Sequence, residues 1–459
     1  MLPAETVFNQ SIWGDEGFSA ILSMKSLPQI IKIIATDTSP PLWNITEWIV
    51  FNTLGTDEVY IRGLSFLYFI LTVFFVYKIG TLFYSKKTGF IVALLTFLNP
   101  FFFMYAFEGR MYSIMALGVT ASMYFFLKIY YRPKEISLLT KIGYVFFTLW
   151  ALYSHHFAFF AVFVQGLWWI KEMLFGKRIT SKKVFKLFLI TAIGYLPWLI
   201  PLYNQTKMVG GGFWLGTPDA DALTNLISEY LALGNRSLSY TIPLLGVKFY
   251  DIVLYLVITT LAIRKWHRQI EKNIFLLLWF LGPILITYGV SQFFQSIFYN
   301  RYLLYTIPGA MIILGSGRRK YISTIPLFLT IVSFFVIDLH YFTHPKKLPF
   351  RQLGEYVSQT RQEGDITINW NSSAHHLWET KYYGFDSPIY IPEGGDLPYF
   401  VGTALMEERD ILRSIPSNAK RVGVTTSGPI EEIELPGYTE IKTARWEEKG
   451  LKFLWLEKE

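Results

Sequence analysis

Two carboxylates, Asp15 and Glu16, stand side by side in Ser11-Ile-Trp-Gly-Asp-Glu-Gly17, next to Trp13. At a membrane surface such a pair can divide labour, one acid taking a proton while the other orients an acceptor or a metal. The same residues equally describe a helix start, with Asp15 capping a helix from about Gly17 and Glu16 stabilising its first turn. A second group is Asn99-Pro100 followed by Phe107-Glu-Gly-Arg-Met-Tyr112, where Glu108 and Arg110 interrupt two long apolar blocks. Arg110 offers a fork to an anionic oxygen pair, so phosphate or sugar recognition is one reading and a Glu108–Arg110 ion pair pinning the turn is the other. In Tyr153-Ser-His-His156, His155 is either a ligand or a hydrogen-bonding partner of a neighbouring helix. Asp37, in Asp37-Thr-Ser-Pro-Pro-Leu42, either caps the helix that the prolines start or faces the site. The stretch 205–218 carries Lys207, Gly210-Gly-Gly212 and Trp214, a flexible loop able to close a cation and an aromatic over a substrate. Arg301, in Asn300-Arg-Tyr302, snorkels or binds phosphate.

The elements that position these residues belong to a membrane protein. Of 459 residues, 52% are hydrophobic and 17% charged, against about 25% charged in soluble domains. Apolar blocks at 61–82, 89–106, 111–131, 142–156, 157–174, 185–203, 241–263, 273–291, 302–316 and 321–342 predict about ten spans. Nineteen basic residues gather in five clusters between alternate blocks: Lys86 and Lys87, Lys128 to Lys141, Lys171 to Lys186, Arg264 to Lys272, and Arg318 to Lys320. The opposite connections hold four, Arg110, Lys207, Arg236 and Arg301. That asymmetry makes the clusters cytoplasmic and puts every candidate residue outside. The net charge of +8 therefore reflects topology, and nucleic acid is not an expected partner.

Absence narrows the chemistry further. With no Cys there is no disulfide, zinc-thiolate site, iron-sulfur cluster or Cys nucleophile. There is no glycine-rich phosphate loop, His-Glu-x-x-His or nucleophile elbow. With 33 Gly lacking a triplet period and 40 Phe, 29 Tyr and 14 Trp, the chain is neither collagen-like nor disordered.

Three regions follow. Residues 1–60 form an extracytoplasmic loop in which 17–35 and 41–54 read as amphipathic surface helices, with Phe18, Ile21, Leu22, Leu27, Ile30, Ile31 and Ile34 on one set of turns. Residues 61–342 form the transmembrane helical domain. Residues 343–459 form a soluble extracytoplasmic α/β domain, with strands expected at 365–370, 387–392, 421–426 and 451–456 and helices at 347–362 and 402–415.

In this order and topology, Trp13-Gly-Asp-Glu16, Asp37-Thr-Ser-Pro-Pro-Leu42, Glu108-Gly-Arg-Met-Tyr112, Tyr153-Ser-His-His156, Tyr195-Leu-Pro-Trp198 with Gln205, and Arg301-Tyr-Leu303 resemble the GT-C fold membrane glycosyltransferases. The resemblance is to the family 39 type that includes protein O-mannosyltransferases and lipid A aminoarabinose transferases. It implies a polytopic α-helical membrane enzyme of the plasma membrane. Such an enzyme moves a monosaccharide from a polyprenyl-phosphate carrier to a lipid, glycan or protein acceptor on the outer face, with membrane lipids around it. Carried onto this chain, Asp15 is the catalytic base, Glu16 its companion and Glu108 a further acid. Arg110, His155 and Arg301 are donor or acceptor ligands, and Asp37, Tyr112 and Lys207 join them. Ser39 replaces a frequent His or Lys, so Lys207 or Arg301 supplies the phosphate-facing cation. No cofactor is obligatory in such relatives, though paired carboxylates can hold a divalent ion. The family also carries a membrane helix before the Asp-Glu loop, so a span preceding this start is expected. Direct translocation of a short tail is the alternative. The rival activity is a lipid-linked sugar flippase or transporter, whose ionisable residues belong near mid-bilayer in broken spans.

Overall fold

The computed structural model describes residues 5–233, 241–242, 247–267, 269–317, 322–370, 374–446 and 450–459. Arg236, Arg268, Arg318, Arg319 and Lys320, counted above among the topological charges, lie outside them. The chain divides into two compact units, one of Thr38–Trp43 with Arg62–Thr343, the other of the residues up to Asp37 with Asn44–Ile61 and His344–Glu459.

The first unit is helical because hydrocarbon offers backbone N–H and C=O groups no partners except within the chain. Among the described residues six helices are long and apolar enough to cross a membrane: Glu58–Phe83, Tyr112–Tyr131, Ala158–Phe175, Arg178–Gly210, Ile270–Phe293 and Thr324–Thr343. The pair Lys86–Phe97 and Pro100–Ala106, bent by 67°, is apolar enough to count as a seventh if it is one broken span rather than a re-entrant loop. Pro100 has no N–H to continue the first helix, and the Asn99 side chain starts the second by accepting from the Phe102 amide at 3.0 Å. The remaining expected blocks are shorter helices, Leu138–Ser154, Phe249–Ala262 and Ile307–Gly315. A two-residue antiparallel pair, β1 (Thr241–Ile242) and β2 (Val247–Lys248), precedes Phe249. Small residues set the closest approach: a Cβ at Gly118 would lie 2.7 Å from the Ala151 amide nitrogen, and Ser122 bonds Thr148 across the same seam at 2.8 Å. One expectation is corrected here. The span drawn at 185–203 continues to Gly210, so Gln205 and Lys207 stand on helix rather than in a loop. The helix passes through a 3-10 turn at Leu196–Trp198, resumes at Leu199 and ends at Gly210, ahead of Gly212 with φ +139°.

The second unit holds a six-stranded sheet in the order β5-β4-β3-β6-β8-β7, with β3 Ile366–Asn369, β4 Ile389–Tyr390, β5 Ile411–Leu412, β6 Arg421–Thr426, β7 Tyr438–Trp446 and β8 Leu451–Lys458. β3 to β6 run parallel and β8 is antiparallel to both its neighbours. Alternation along β8 sends Leu451, Phe453 and Trp455 to a core with Phe350, Leu353 and Val357, and Leu454 and Leu456 to a second core with Ile368, Val422 and Val424. The helix expected at 402–415 does not form. Gly402 takes φ +92° and Ile411–Leu412 pairs with Ile389–Tyr390 as an edge strand. The amphipathic stretch 17–35 is two helices, Gly14–Ser23 and Leu27–Ile34, because Ser26 with Gln29 caps a new start ahead of Pro28. Its apolar face is buried at Phe18, Leu22, Ile30 and Ile34, whereas Ile31 is exposed.

The Gly14–Ser23 helix lies directly on the helix Ala374–Tyr382. A Cβ at Gly17 would sit 2.9 Å from the Trp378 backbone. Gly17→Val is therefore expected to destabilise this unit by about 1–3 kcal/mol, read as a lowered thermal midpoint of the purified protein; an unchanged midpoint would contradict the close packing.

Candidate functional site

The predicted residues fall into two groups, one in each unit. In the unit that carries the sheet, the Trp13–Glu16 turn opens the first helix three residues earlier than the spacing suggests. Glu16 is buried, its Oε2 accepting from the Trp13 amide at 3.3 Å and from Lys347 Nζ at 2.8 Å. Capping and ion pairing thus converge on Glu16. Asp15 is only partly buried and lies 4.0 Å from His375 Nδ1. The Trp13 ring lies 6.2 Å from the same His375 ring and tilted to it, and Lys347 Nζ stands 5.8 Å from the Trp13 ring. Asp37 is buried just past the Leu27–Ile34 helix, its amide bonded to the Ile34 carbonyl.

Residue 379 adds an acid that the motifs do not contain. Glu379, on the Ala374–Tyr382 helix, is buried and shares this corner with Glu16, Asp15 and Lys347. Burial raises its carboxyl well above the ordinary range, Lys347 opposing and Glu16 and Asp15 reinforcing. On the same helix, burial lowers His376 to about 4, with His375 acting in the same direction.

In the helical unit, Glu108, Arg110, Tyr112, His155 and Arg301 come together. The Arg301 guanidinium sits over Tyr299 at 5.0 Å, Tyr112 at 5.6 Å and Tyr302 at 6.0 Å. His155 lies 5.1 Å from Tyr302 and 6.4 Å from Tyr112, within the electrostatic reach of Arg110 and Arg301. Its Nδ1 accepts from the Phe157 amide at 3.1 Å, which leaves Nε2 to carry the ring proton. Glu108 and Arg301 both act on the buried Tyr105 phenol. The group is assembled from helix ends: the turn after Pro100–Ala106, the start of Tyr112–Tyr131, the end of Leu138–Ser154 and the 3-10 segment Asn300–Thr306. Next to it, His156 Nε2 bonds Gln205 Oε1 at 2.7 Å and the Gln205 amide reaches the Ser39 carbonyl at 3.2 Å. Lys207, two residues on, is exposed and shares none of the described contacts of this group. Trp214 meets Tyr299 edge to face at 5.0 Å, and Gln295 donates to the Phe213 and Leu215 carbonyls.

Chemically, the helical group offers two guanidiniums, an imidazole N–H and phenols, an array suited to a phosphate. The other offers acids and one ammonium. Among the described residues no group of three or more His, Asp or Glu side chains is arranged to hold a metal ion.

No family model matches the chain, and no curated protein matches it by sequence. Solved structures do. ArnT from Cupriavidus metallidurans in the apo state is similar over 98% of this chain and 95% of its own, with TM-score 0.65 and 10% identity. The same protein bound to undecaprenyl phosphate gives TM-score 0.58 at 10% identity over 98% and 96%. The Archaeoglobus fulgidus oligosaccharyltransferase, in complex with Zn and sulfate, gives 0.55 at 11% identity over 90% of this chain and 64% of that one. The fold is GT-C. It is that of a polytopic helical membrane protein with a small C-terminal sheet domain, as the motifs implied.

Sequence reasoning missed Lys347, Glu379 and Tyr302 as members of these groups. Tyr302 was adjacent to Arg301, and Lys346-Lys347 follows the last span on the side expected to be poor in cations. Glu379 carries no comparable signal.

The two perturbed groups of the Ala374–Tyr382 helix predict opposite pH dependences. His376 is depressed in the fold, so the unfolded chain binds the extra proton between about 6.5 and 4 and stability falls as pH drops through that window, by up to about 3 kcal/mol. Glu379 is raised, so its contribution is complete at low pH and is lost as pH rises. Between about pH 7 and 4 the thermal midpoint of the wild type should fall relative to that of His376→Leu, whatever the net slope set by Glu379; parallel profiles would refute the assignment.

Proposed function

We propose that this protein is a membrane glycosyltransferase that moves a monosaccharide from a polyprenyl-phosphate carrier to an acceptor hydroxyl on the outer face of the plasma membrane. The observation that carries this reading is the chain-length likeness to ArnT, one structure of which holds undecaprenyl phosphate. The arginine, histidine and tyrosine group supports it, being chemistry that a departing phosphate needs. In this reading Asp15 takes the proton of the acceptor hydroxyl and that oxygen attacks the anomeric carbon. The bond from that carbon to the phosphate oxygen breaks, and polyprenyl phosphate leaves with the electron pair. Arg110 and Arg301 stabilise the charge it gains, His155 and Tyr112 hold its oxygens, and Glu108 orients the guanidiniums. Glu16 and Lys347, already paired, brace the Asp15 turn, Asp37 closes the helix before it, and the exposed Lys207 meets the lipid phosphate on entry. The acceptor is a lipid, glycan or protein. No step is routed through a metal ion.

Asp15→Asn is expected to lower transfer from undecaprenyl-phosphate-linked sugars by at least about 100-fold in proteoliposomes, with wild-type activity persisting in EDTA. Full activity of the variant would remove Asp15 from the mechanism, and loss in EDTA would require a divalent ion.

One observation favours the rival reading, transport of a lipid-linked sugar. Asp338 is buried within the Thr324–Thr343 span, and neither of its carboxylate oxygens has a hydrogen-bond partner among the described residues. If the protein is the transferase, Asp338→Asn leaves transfer within about threefold of wild type and no flipping of fluorescent lipid-linked sugar is detected; flipping abolished by this substitution would establish the transporter.

A further inference from the structure

Asn99 opens the second half of the bent helix pair, yet no step of the transfer just described uses it. Its Oδ1 accepts from the Phe102 amide, and its Nδ2 donates to the Tyr230 carbonyl at 2.7 Å. Tyr230 lies in Glu229–Leu233, a π-helical segment that continues the helix Ala220–Ser228. Such widened turns are rare and recur at functional sites. The Tyr230 side chain is fully buried, its ring 4.9 Å from that of Phe101, and its hydroxyl donates to the Asn300 carbonyl. The residue before it, Glu229, accepts from Asn300 Nδ2 at 3.2 Å, and Asn300 Oδ1 accepts from the Arg301 amide at 2.7 Å. Two consecutive residues of the π segment therefore hold Asn300, one by its main chain and one by its side chain. The far end of the 3-10 segment Asn300–Thr306 is fixed as well. Trp279 Nε1 donates to the Tyr305 carbonyl at 3.1 Å, and the Tyr305 hydroxyl donates at 3.0 Å to the carbonyl of Phe157, whose amide donates to His155.

We propose that Tyr230 is a positioning residue for Arg301, fixing Asn300 so that the guanidinium stands among Tyr112, Tyr299 and Tyr302 in the place where the donor phosphate binds. The inference rests on the reading of Arg301 as a phosphate ligand and deepens it. A 3-10 segment has poorly aligned internal hydrogen bonds, so it depends on anchors outside itself. With Tyr305 tied to the His155 turn, the hold on Asn300 decides where residue 301 leaves the chain. A guanidinium that meets a phosphate through two parallel hydrogen bonds tolerates little misplacement. Tyr230 is suited to the task because its hydroxyl sits on a rigid, fully buried ring and its own carbonyl is held by Asn99. The break between Phe97 and Pro100 thereby acquires a purpose. It frees the Asn99 side chain from a continuous helix to secure the segment that in turn secures Arg301. Through Tyr305 the same segment is joined to the turn that carries His155, so both phosphate-facing groups share one frame.

The test uses the full-length protein in detergent, titrated with undecaprenyl phosphate and, as a phosphate-free control, with undecaprenol. Tyr230→Phe keeps the ring and removes only the hydroxyl. It is expected to weaken binding of undecaprenyl phosphate about 5- to 10-fold. Binding of undecaprenol should stay within about twofold and the thermal midpoint within about 4 °C, which a general loosening of the fold would not allow. Arg301→Ala is expected to weaken undecaprenyl phosphate binding by at least about 10-fold. Adding Tyr230→Phe to it should then change binding by less than about twofold, the non-additivity of a residue that acts through another. If Tyr230→Phe does not fold, Asn300→Ala takes its place in the same cycle with the same expectation. Additive losses, equal losses for undecaprenol, or unchanged phosphate binding in the folded variant would overturn the proposal. Arg301→Ala measured alone separates the two ideas: wild-type binding by it sinks the reading beneath, whereas weakened binding beside an unaltered Tyr230→Phe sinks this inference only.

Discussion

Burying a carboxylate is tolerable only when a cation or several donors come with it, and in the sheet-bearing unit that requirement joins the two ends of the chain. Glu16 meets Lys347 at 2.8 Å, and Glu58 meets Arg351 at 2.7 Å and the Tyr383 hydroxyl at 2.6 Å. Arg351 also reaches the Asn9 carbonyl, and its own amide donates to Ser11. The acids come from the first 60 residues and their partners from beyond residue 343. Removing one partner of such a pair typically costs about 3–5 kcal/mol, because the other charge remains buried. The unit therefore cannot complete itself until nearly the whole chain is made. The close Gly14 and Gly17 contacts with the Ala374–Tyr382 helix join the same two ends of the chain.

The helical unit solves a different problem with different groups. Inside it the backbone satisfies itself, so polar side chains are free to gather where helices end. Asn99, Arg110, His155 and Arg301 all stand at such breaks, after Phe97, before Tyr112, after Ser154 and before Ile307. The aromatic rings around Arg301 supply a weakly hydrated setting in which a guanidinium keeps its charge and its fork remains oriented. Gln205, joined to His156 and to the Ser39 carbonyl, ties the end of a long span to the proline-rich entry of another segment.

Much of this was legible before any coordinates. Apolar blocks and the distribution of Lys and Arg marked the helical unit, because hydrocarbon selects composition over some twenty residues at a time. The strand Arg421–Thr426 was recovered with its exact bounds and Leu451–Leu456 within the observed strand, because alternation along a half-buried strand is a local property. The 402–415 stretch failed by the same standard. Its apolar spacing suited a helix, but a left-handed Gly402 and pairing with a strand some twenty residues earlier in the chain outweighed local preference.

By itself, then, the sequence determined the chemical inventory and the class of fold: acids at 15, 16 and 108, cations at 110 and 301, no thiol, and enough apolar length for a bundle of spans. These follow from short-range physics, in which residue type and spacing suffice. Tertiary structure alone decided which of those groups are neighbours. It made Glu16 a buried partner of Lys347, left Asp15 partly open and Lys207 exposed on a helix, and brought in Glu379 from the far end of the chain. Such pairings depend on burial and on the cost of unpaired charge across more than 300 residues of separation, and no local pattern encodes them.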